Sequence, residues 1–289
     1  MTASLAGRLL LASRPLSWVN TAYPFAAAYL LGGGAVDLAF VIGTVFFLIP
    51  YNLAMYGIND VFDHASDAVN PRKGGAEGAL LDPAVHGRVI GWAIGLCVPF
   101  LVALVVLGSP ASWAVLAVSC FAVAAYSVPR LRFKEIPVLD SITSSTHFVS
   151  PAVYGLVLVG ADWDATAVIV LVAFFLWGCA SQAFGAVQDV VPDREAGIRS
   201  IATVLGAVTT VRLAMGLWVA AGAFLLLLPW PGTLAAVLAI PYLALAWPYR
   251  SVPDADSAMA NRSWRRFLLV NYLVGFAVTM LLLWGALAA

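Results

Sequence analysis

Five aspartates carry the most pointed chemistry in this 289-residue chain. The run Asn59-Asp60-Val61-Phe62-Asp63-His64-Ala65-Ser66-Asp67 spaces three carboxylates three and four residues apart. On a helix that spacing sets them on one face. Asp189 and Asp193 repeat the four-residue step, followed by Arg194, Glu195 and Gly197. Like charges stacked on one face repel, so each cluster asks for a compensating cation. Oxygen ligands suit hard divalent ions, and Mg²⁺ takes one or two carboxylates together with waters and phosphate oxygens. Basic residues stand close by in sequence: Arg72 and Lys73 behind the first cluster, Arg130, Arg132 and Lys134 between the clusters, and Arg194 and Arg199 behind the second. Guanidinium and ammonium groups there can pair directly with a phosphate. The competing reading, a solvated charged loop, explains either cluster alone better than it explains both.

Polar residues inside apolar runs extend the pattern. Asp140, Thr143 or Ser144, His147, Pro151 and Tyr154 share one helical face. Asn52 and Tyr56 precede the first acidic cluster by one to two turns, and Ser181 and Gln182 precede the second by about two turns. Ionisable groups inside an apolar segment normally face a helix bundle's interior or a wet cavity. These faces could therefore line one cavity beneath the acidic residues. Hydrogen bonding between helices by small polar side chains is the alternative.

The elements that must position these residues are membrane helices. Hydrophobic residues make up 62% of the chain, charged residues 10%, and the mean hydropathy is +0.94. An ordinary soluble domain is about 25% charged, so soluble and disordered classes are excluded. With 15 basic and 15 acidic residues the formal net charge is zero, which argues against a nucleic-acid partner. Cys97, Cys120 and Cys179 lie in apolar runs and read as packing residues, with no disulfide or metal spacing.

Nine apolar stretches reach spanning length, near 16–34, 37–58, 88–108, 112–128, 137–160, 165–187, 202–228, 232–249 and 266–288. The first is read as a retained helix, not a signal peptide. All 15 basic residues then fall within a turn or two of one side, and the other side holds only Asp37, Asp162 and Asp164. Positive charge stays in the cytoplasm. The expected protein is an all-α, multi-pass bundle of nine transmembrane helices in the plasma membrane, one domain over 1–289. Its N-terminus and acidic mouth are expected in the cytoplasm and its C-terminus outside. Nothing in the sequence sets an oligomeric state.

At this point the motifs resemble a known family. Asn59-Asp60-x-x-Asp63-x-x-x-Asp67 and Asp189-x-x-x-Asp193 are similar to the first and second motifs of the UbiA-type intramembrane prenyltransferases. Tyr126-Ser127-Val128-Pro129-Arg130-Leu131-Arg132-Phe133-Lys134 is similar to the stretch between their fourth and fifth helices. Within that superfamily three runs, Arg14 to Pro24, Tyr51 to Gly75 and Phe184 to Gly206, look most like the lycopene elongases of carotenoid biosynthesis. Several quinone-type members carry Lys before the second motif where this chain has Gln188, a departure that counts against a quinone pathway.

The resemblance implies a UbiA-type bundle around a central cavity and a chemistry. Two Mg²⁺ ions would bridge the motifs and dimethylallyl diphosphate, with Asn59, Asp63, Asp189 and Asp193 as ligands and Asp60 and Asp67 in or beside the ligand shell. Arg14, Arg72, Lys73, Arg130, Arg132, Lys134, Arg194 and Arg199 would serve the diphosphate. Ionisation would leave an allylic carbocation, which the end of lycopene, a lipid-soluble carotenoid entering from the bilayer, would attack. The resulting tertiary cation would lose a proton or take up water, with Tyr126, Asp140 and His147 as candidate participants. Two other readings stand beside this one: a prenyltransferase with an aromatic, quinone or tetrapyrrole acceptor, and an ion-coupled transporter. Transporters place charge nearer the bilayer midplane on broken helices. The CDP-alcohol phosphotransferases crowd their aspartates into one region, unlike this chain.

Overall fold

The computed structural model describes residues 4–68 and 79–288. Every regular element among them is helical. In chain order they are α1 (Leu5–Ala12), α2 (Val19–Leu31), α3 (Leu38–Phe62), α4 (His64–Asp67), α5 (His86–Leu107), α6 (Pro110–Ser127), α7 (Leu139–Val159), α8 (Ala165–Val187), α9 (Val190–Glu195), α10 (Ile201–Leu205), α11 (Ala207–Leu225), α12 (Gly232–Tyr249) and α13 (Asn261–Ala288). Eight of the described helical segments are long and apolar enough to cross a bilayer. The ninth expected span is shorter than its apolar stretch suggests. Its helix, α2, has 13 residues, about 20 Å of rise against a hydrocarbon core of about 30 Å. A 3₁₀ turn at Pro15–Ser17 takes up the start of that stretch.

Helix starts follow from short polar side chains that answer the exposed N–H groups of a first turn. Asp37 accepts from the Phe40 N–H at 2.9 Å and opens α3. That bond holds the Asp37 carboxyl below the usual carboxylate range. Asp164 does the same for α8 through Ala167, at 2.7 Å. Ser109 and Ser112 cap α6 reciprocally.

The helices fall into two compact units, residues 1–133 with 146–162, and residues 134–145 with 163–289. In the first, Phe25, Phe46, Phe47, Tyr51 and Tyr154 pack ring against ring and are essentially unexposed. Gly43 lets α3 close on α2, because a Cβ there would overlap the Phe25 ring. In the second unit, Phe184, Trp218, Tyr242 and Phe267 form the equivalent aromatic core. Lipid tails are as apolar as these side chains, so close packing and hydrogen bonds, not escape from water, hold such helices together.

One helix carries a fault that matters for the site. Pro50 inside α3 has no N–H to donate and kinks the chain. Asn52 answers the carbonyls exposed at the kink: its amide nitrogen donates to Phe47 O at 2.8 Å, to Leu48 O at 3.0 Å and to Thr21 Oγ1 at 2.7 Å. A π-helical turn, Leu53–Gly57, follows directly and delivers the chain to Asn59.

Candidate active site

In the first unit the acidic motif closes α3 and runs through α4. Asp60 is 1% exposed. Its Oδ1 accepts from Arg14 Nη2 at 2.8 Å, and its Oδ2 accepts from the Ala79 N–H at 3.2 Å. Arg14 also stacks on the Tyr56 ring, 4.3 Å from its centre. Burial pulls the Arg14 guanidinium pKa down, but Asp60, Tyr56 and Asp67 together outweigh it and leave the group above its ordinary value. Asp63, at the end of α3, is half-buried, and its Oδ1 lies 3.5 Å from Arg132 Nη2. Asn59 accepts at Oδ1 from the Ser127 hydroxyl at 2.9 Å. Asp67 is 7% exposed.

Among the described residues three of the four non-glycine positions with positive φ are basic, and the fourth is Val138, at 74°. Arg14, Arg130 and Arg132 have φ of 50°, 79° and 40°. Left-handed conformations cost a non-glycine residue about 1–3 kcal/mol and persist only where the surroundings impose them. For Arg132 the return is its approach to Asp63, and for Arg14 its place between Tyr56 and Asp60.

In the second unit Asp189 stands at the N-cap position of α9 without a side-chain cap bond, and Asp193 lies within that helix, both half-buried. Arg194 donates from Nε to Thr203 O at 2.9 Å and from Nη1 to Asp254 Oδ2 at 2.5 Å. Asp254 Oδ1 accepts from the Ala207 N–H at 2.6 Å. Gly206, at φ 77°, makes the turn into α11. Arg199 is exposed.

Several expectations change. Asn52 and Tyr154 do not line a cavity: each has 0% exposure. Asn52 repairs the kink of α3, and Tyr154 packs in the aromatic core. Asp140, expected near the reaction, is fully buried and occupied: its oxygens accept from Ser141 N at 2.7 Å, Ser141 Oγ at 3.3 Å and Ile201 N at 2.7 Å. It joins the start of α7 to the start of α10. Arg14 and Arg194 both spend their charge on carboxylates of their own unit. Tyr56 lies half-buried under Arg14, and Gln182 accepts from Ser144 Oγ at 3.0 Å. His147 is 3% exposed, with its ring edge-on to Tyr126, centroids 5.4 Å apart. Lys134 is half-buried and Arg130 exposed. Arg72 and Lys73 lie outside the described residues.

Reasoning from sequence missed Ser127 as the partner of Asn59 and Asp254 as the partner of Arg194. Ser127 lay inside a quoted motif and carried a signal, but Asp254 sat in what reads as a polar loop. Taken unit by unit, the Asn59, Asp63 and Asp67 oxygens of the first and the Asp189 and Asp193 carboxylates of the second are hard donors of the kind Mg²⁺ takes. Among the described residues no three His, Cys, Asp or Glu side chains form a metal cage. Mg²⁺ does not need one, because it keeps waters and takes phosphate oxygens.

The acidic helix end of the first unit, with the strained Arg14 and Arg132 beside it, belongs to a helical scaffold whose helices are long and apolar enough to cross a membrane. A family model described as the UbiA prenyltransferase family matches residues 21–272, and the chain belongs to that family. It is 54% identical over 287 residues to a C(50) beta-cyclic carotenoids biosynthesis protein of Dietzia sp. (strain CQ4), covering 99% of this chain and 66% of that longer relative. It is 51% identical over 276 residues to a lycopene elongase/hydratase of Corynebacterium glutamicum, covering 95% of this chain and 96% of that one. In fold it resembles a UbiA homolog from Archaeoglobus fulgidus solved bound to GPP and Mg²⁺, with TM-score 0.65, 17% identity, and coverage of 92% of this chain and 99% of that one.

Proposed function

We propose that this prenyltransferase moves a dimethylallyl group from its diphosphate onto the end of lycopene, at the cytoplasmic face of the plasma membrane. The observation that carries the acceptor is the 51% identity, along nearly the whole of both chains, to a protein named lycopene elongase/hydratase. The names of the two relatives described above point to a carotenoid, not to an aromatic, quinone or tetrapyrrole acceptor.

The proposed diphosphate site uses Asn59, Asp63 and Asp67 from the first motif and Asp189 and Asp193 from the second, with two Mg²⁺ ions. Bound there, Mg²⁺ would neutralise charge building on the leaving diphosphate. Ser127 fixes the Asn59 amide so that its oxygen keeps one orientation. Arg132, held beside Asp63 by its strained backbone, supplies positive charge to the same place. Asp60 is the anchor of this motif, because both its oxygens are already engaged. Departure of the diphosphate leaves an allylic cation in an apolar surround that keeps bulk water from quenching it. The terminal double bond of the carotenoid then attacks.

The test is an assay in membranes with dimethylallyl diphosphate, Mg²⁺ and lycopene, products identified by mass. Asp63→Ala and Asp189→Ala should each lower turnover by at least about a hundredfold, the usual scale for losing a charge-stabilising group, while inserting normally. Near-normal turnover in either variant at saturating donor refutes the ligand assignment, and untouched lycopene with the parent chain refutes the acceptor.

A further inference from the structure

The second acidic motif rides on a helix too short to hold itself. α9 has six residues and no side-chain cap at its start. Helices shorter than about 12 residues are marginal on their own. What holds α9 lies at its two ends, and both ends reach one stretch of chain.

At the front, Gln188 immediately precedes Asp189 and is 5% exposed. Its Oε1 accepts from Asn261 Nδ2 at 2.7 Å, and its Nε2 donates to Gly185 O at 2.8 Å. The last turn of α8 closes on α13 at the same place: a Cβ on Gly185 would stand 2.9 Å from the Trp264 ring. At the back, Arg194 immediately follows Asp193 and bonds Asp254. Asp254 opens, and Asn261 follows, a single 3₁₀ segment, Asp254–Ala260, which packs against α9. The residue before the motif thus meets the end of that segment, and the residue after the motif meets its start. Segment and helix therefore run antiparallel, side by side. The segment is itself firmly seated, since Ser257 and Ala260 are buried.

The back anchor contributes little to folding, because the Arg194–Asp254 pair is over a third exposed on both sides. Its effect lies in placement. A metal-binding carboxylate works only when the groups behind it hold it to within about 0.5 Å.

We infer that the segment from Asp254 to Asn261 is a brace for the second motif, and that through Gln188 and Arg194 it sets where Asp189 and Asp193 present their carboxylates. This rests on the Mg²⁺–diphosphate site proposed above. Gln188, Arg194, Asp254 and Asn261 are positioning residues in it, acting through the two aspartates.

The experiment follows thermal unfolding of the full chain in detergent against Mg²⁺ concentration, with inorganic pyrophosphate present and no turnover. Mg²⁺ and pyrophosphate bound together should raise the Tm of the parent. Asn261→Leu and Asp254→Asn should each raise the Mg²⁺ concentration for half-maximal protection by about tenfold or more, the usual scale for losing a group that orients a ligand. Asp254→Asn keeps an acceptor for the Ala207 N–H and gives up the charge that faces Arg194. Gln188→Met breaks the Asn261 contact from the other side, so it should shift the midpoint in the same way, and it replaces Asn261→Leu if that variant does not fold. Asp164→Ala uncaps the opposite end of α8; it should lower Tm and leave the midpoint where it was. An unshifted midpoint at either anchor overturns the brace while leaving the metal reading intact. A midpoint moved as far by Asp164→Ala overturns it too, because loosening anywhere in the unit would then suffice. A parent chain that Mg²⁺ and pyrophosphate do not protect removes the metal reading and this inference with it.

Discussion

Removing Asp60 separates an anchor from a metal ligand. Its side chain has no exposure, and that of Arg14 is 19% exposed, with 2.8 Å between them. At an effective dielectric near 20 the attraction is about 6 kcal/mol, offset by several kcal/mol of desolvation for each ion. The net worth of the pair is therefore small, yet removing one member strands the other. Asp60→Ala leaves the largely covered Arg14 guanidinium without its carboxylate partner, at a cost of about 3 kcal/mol, and frees the Ala79 N–H as well. For a chain of this size that is a fall in Tm on the order of 10 °C. Arg14→Met with Asp60→Leu removes both charges, and it should be less destabilised than Asp60→Ala alone by about 2 kcal/mol or more. Thermal unfolding in detergent measures the first quantity, and a Mg²⁺ titration of prenyl transfer measures the second. An anchor predicts lost stability with an unchanged half-saturating Mg²⁺ concentration. If Asp60→Ala unfolds like the parent and needs about tenfold more Mg²⁺, Asp60 is a ligand and the reasoning fails.

Two further outcomes follow from the second unit. Asp254→Ala removes both the Arg194 contact and the acceptor at the start of α11. The ion pair is over a third exposed on both sides and adds little, so the loss should be about 1 kcal/mol, mainly from the helix start, read as a small fall in Tm. Asp140→Asn leaves one buried N–H without a matched acceptor and should cost about 1–3 kcal/mol. It should leave the ratio of hydrated to dehydrated product unchanged, because the Asp140 oxygens are already engaged by Ser141 and the Ile201 N–H; a shifted ratio would return it to the reaction.

The sequence made the helical architecture legible because spans and turns are local. Runs of apolar residues announce themselves within a few positions, whereas Asp37 and Asp164, read from the sequence only as charges on the side without basic residues, turn out to be helix caps. Both acidic motifs were readable for the same reason. What stayed hidden is the assignment of partners. Arg14 is 46 residues from Asp60, Ser127 is 68 from Asn59, and Arg194 is 60 from Asp254. A charge count treats every arginine near the motifs alike, whereas the folded chain commits Arg14 and Arg194 to carboxylates of their own unit. Asn52 and Tyr154 looked like cavity residues because polarity in an apolar run has two uses, and only three-dimensional packing distinguishes a repaired kink from a wet wall. The short α2 escaped for a related reason: hydropathy sees the stretch 16–34 but not the 3₁₀ turn that consumes its beginning.

The wide turn at Leu53–Gly57 sets the angular phase of everything after it. Each residue of an α-helix advances the face by about 100°, and a π turn stores one residue's worth of that rotation. The azimuth at which Asn59, Asp60 and Asp63 emerge is therefore decided by how many residues lie between Pro50 and Asn59, more than by which residues they are. Side chains in this segment can be exchanged for others of like volume, but a single deletion would swing the whole acidic edge away from Arg14, Ser127 and Arg132 together. Chain length here acts as an alignment key for the catalytic end of the helix.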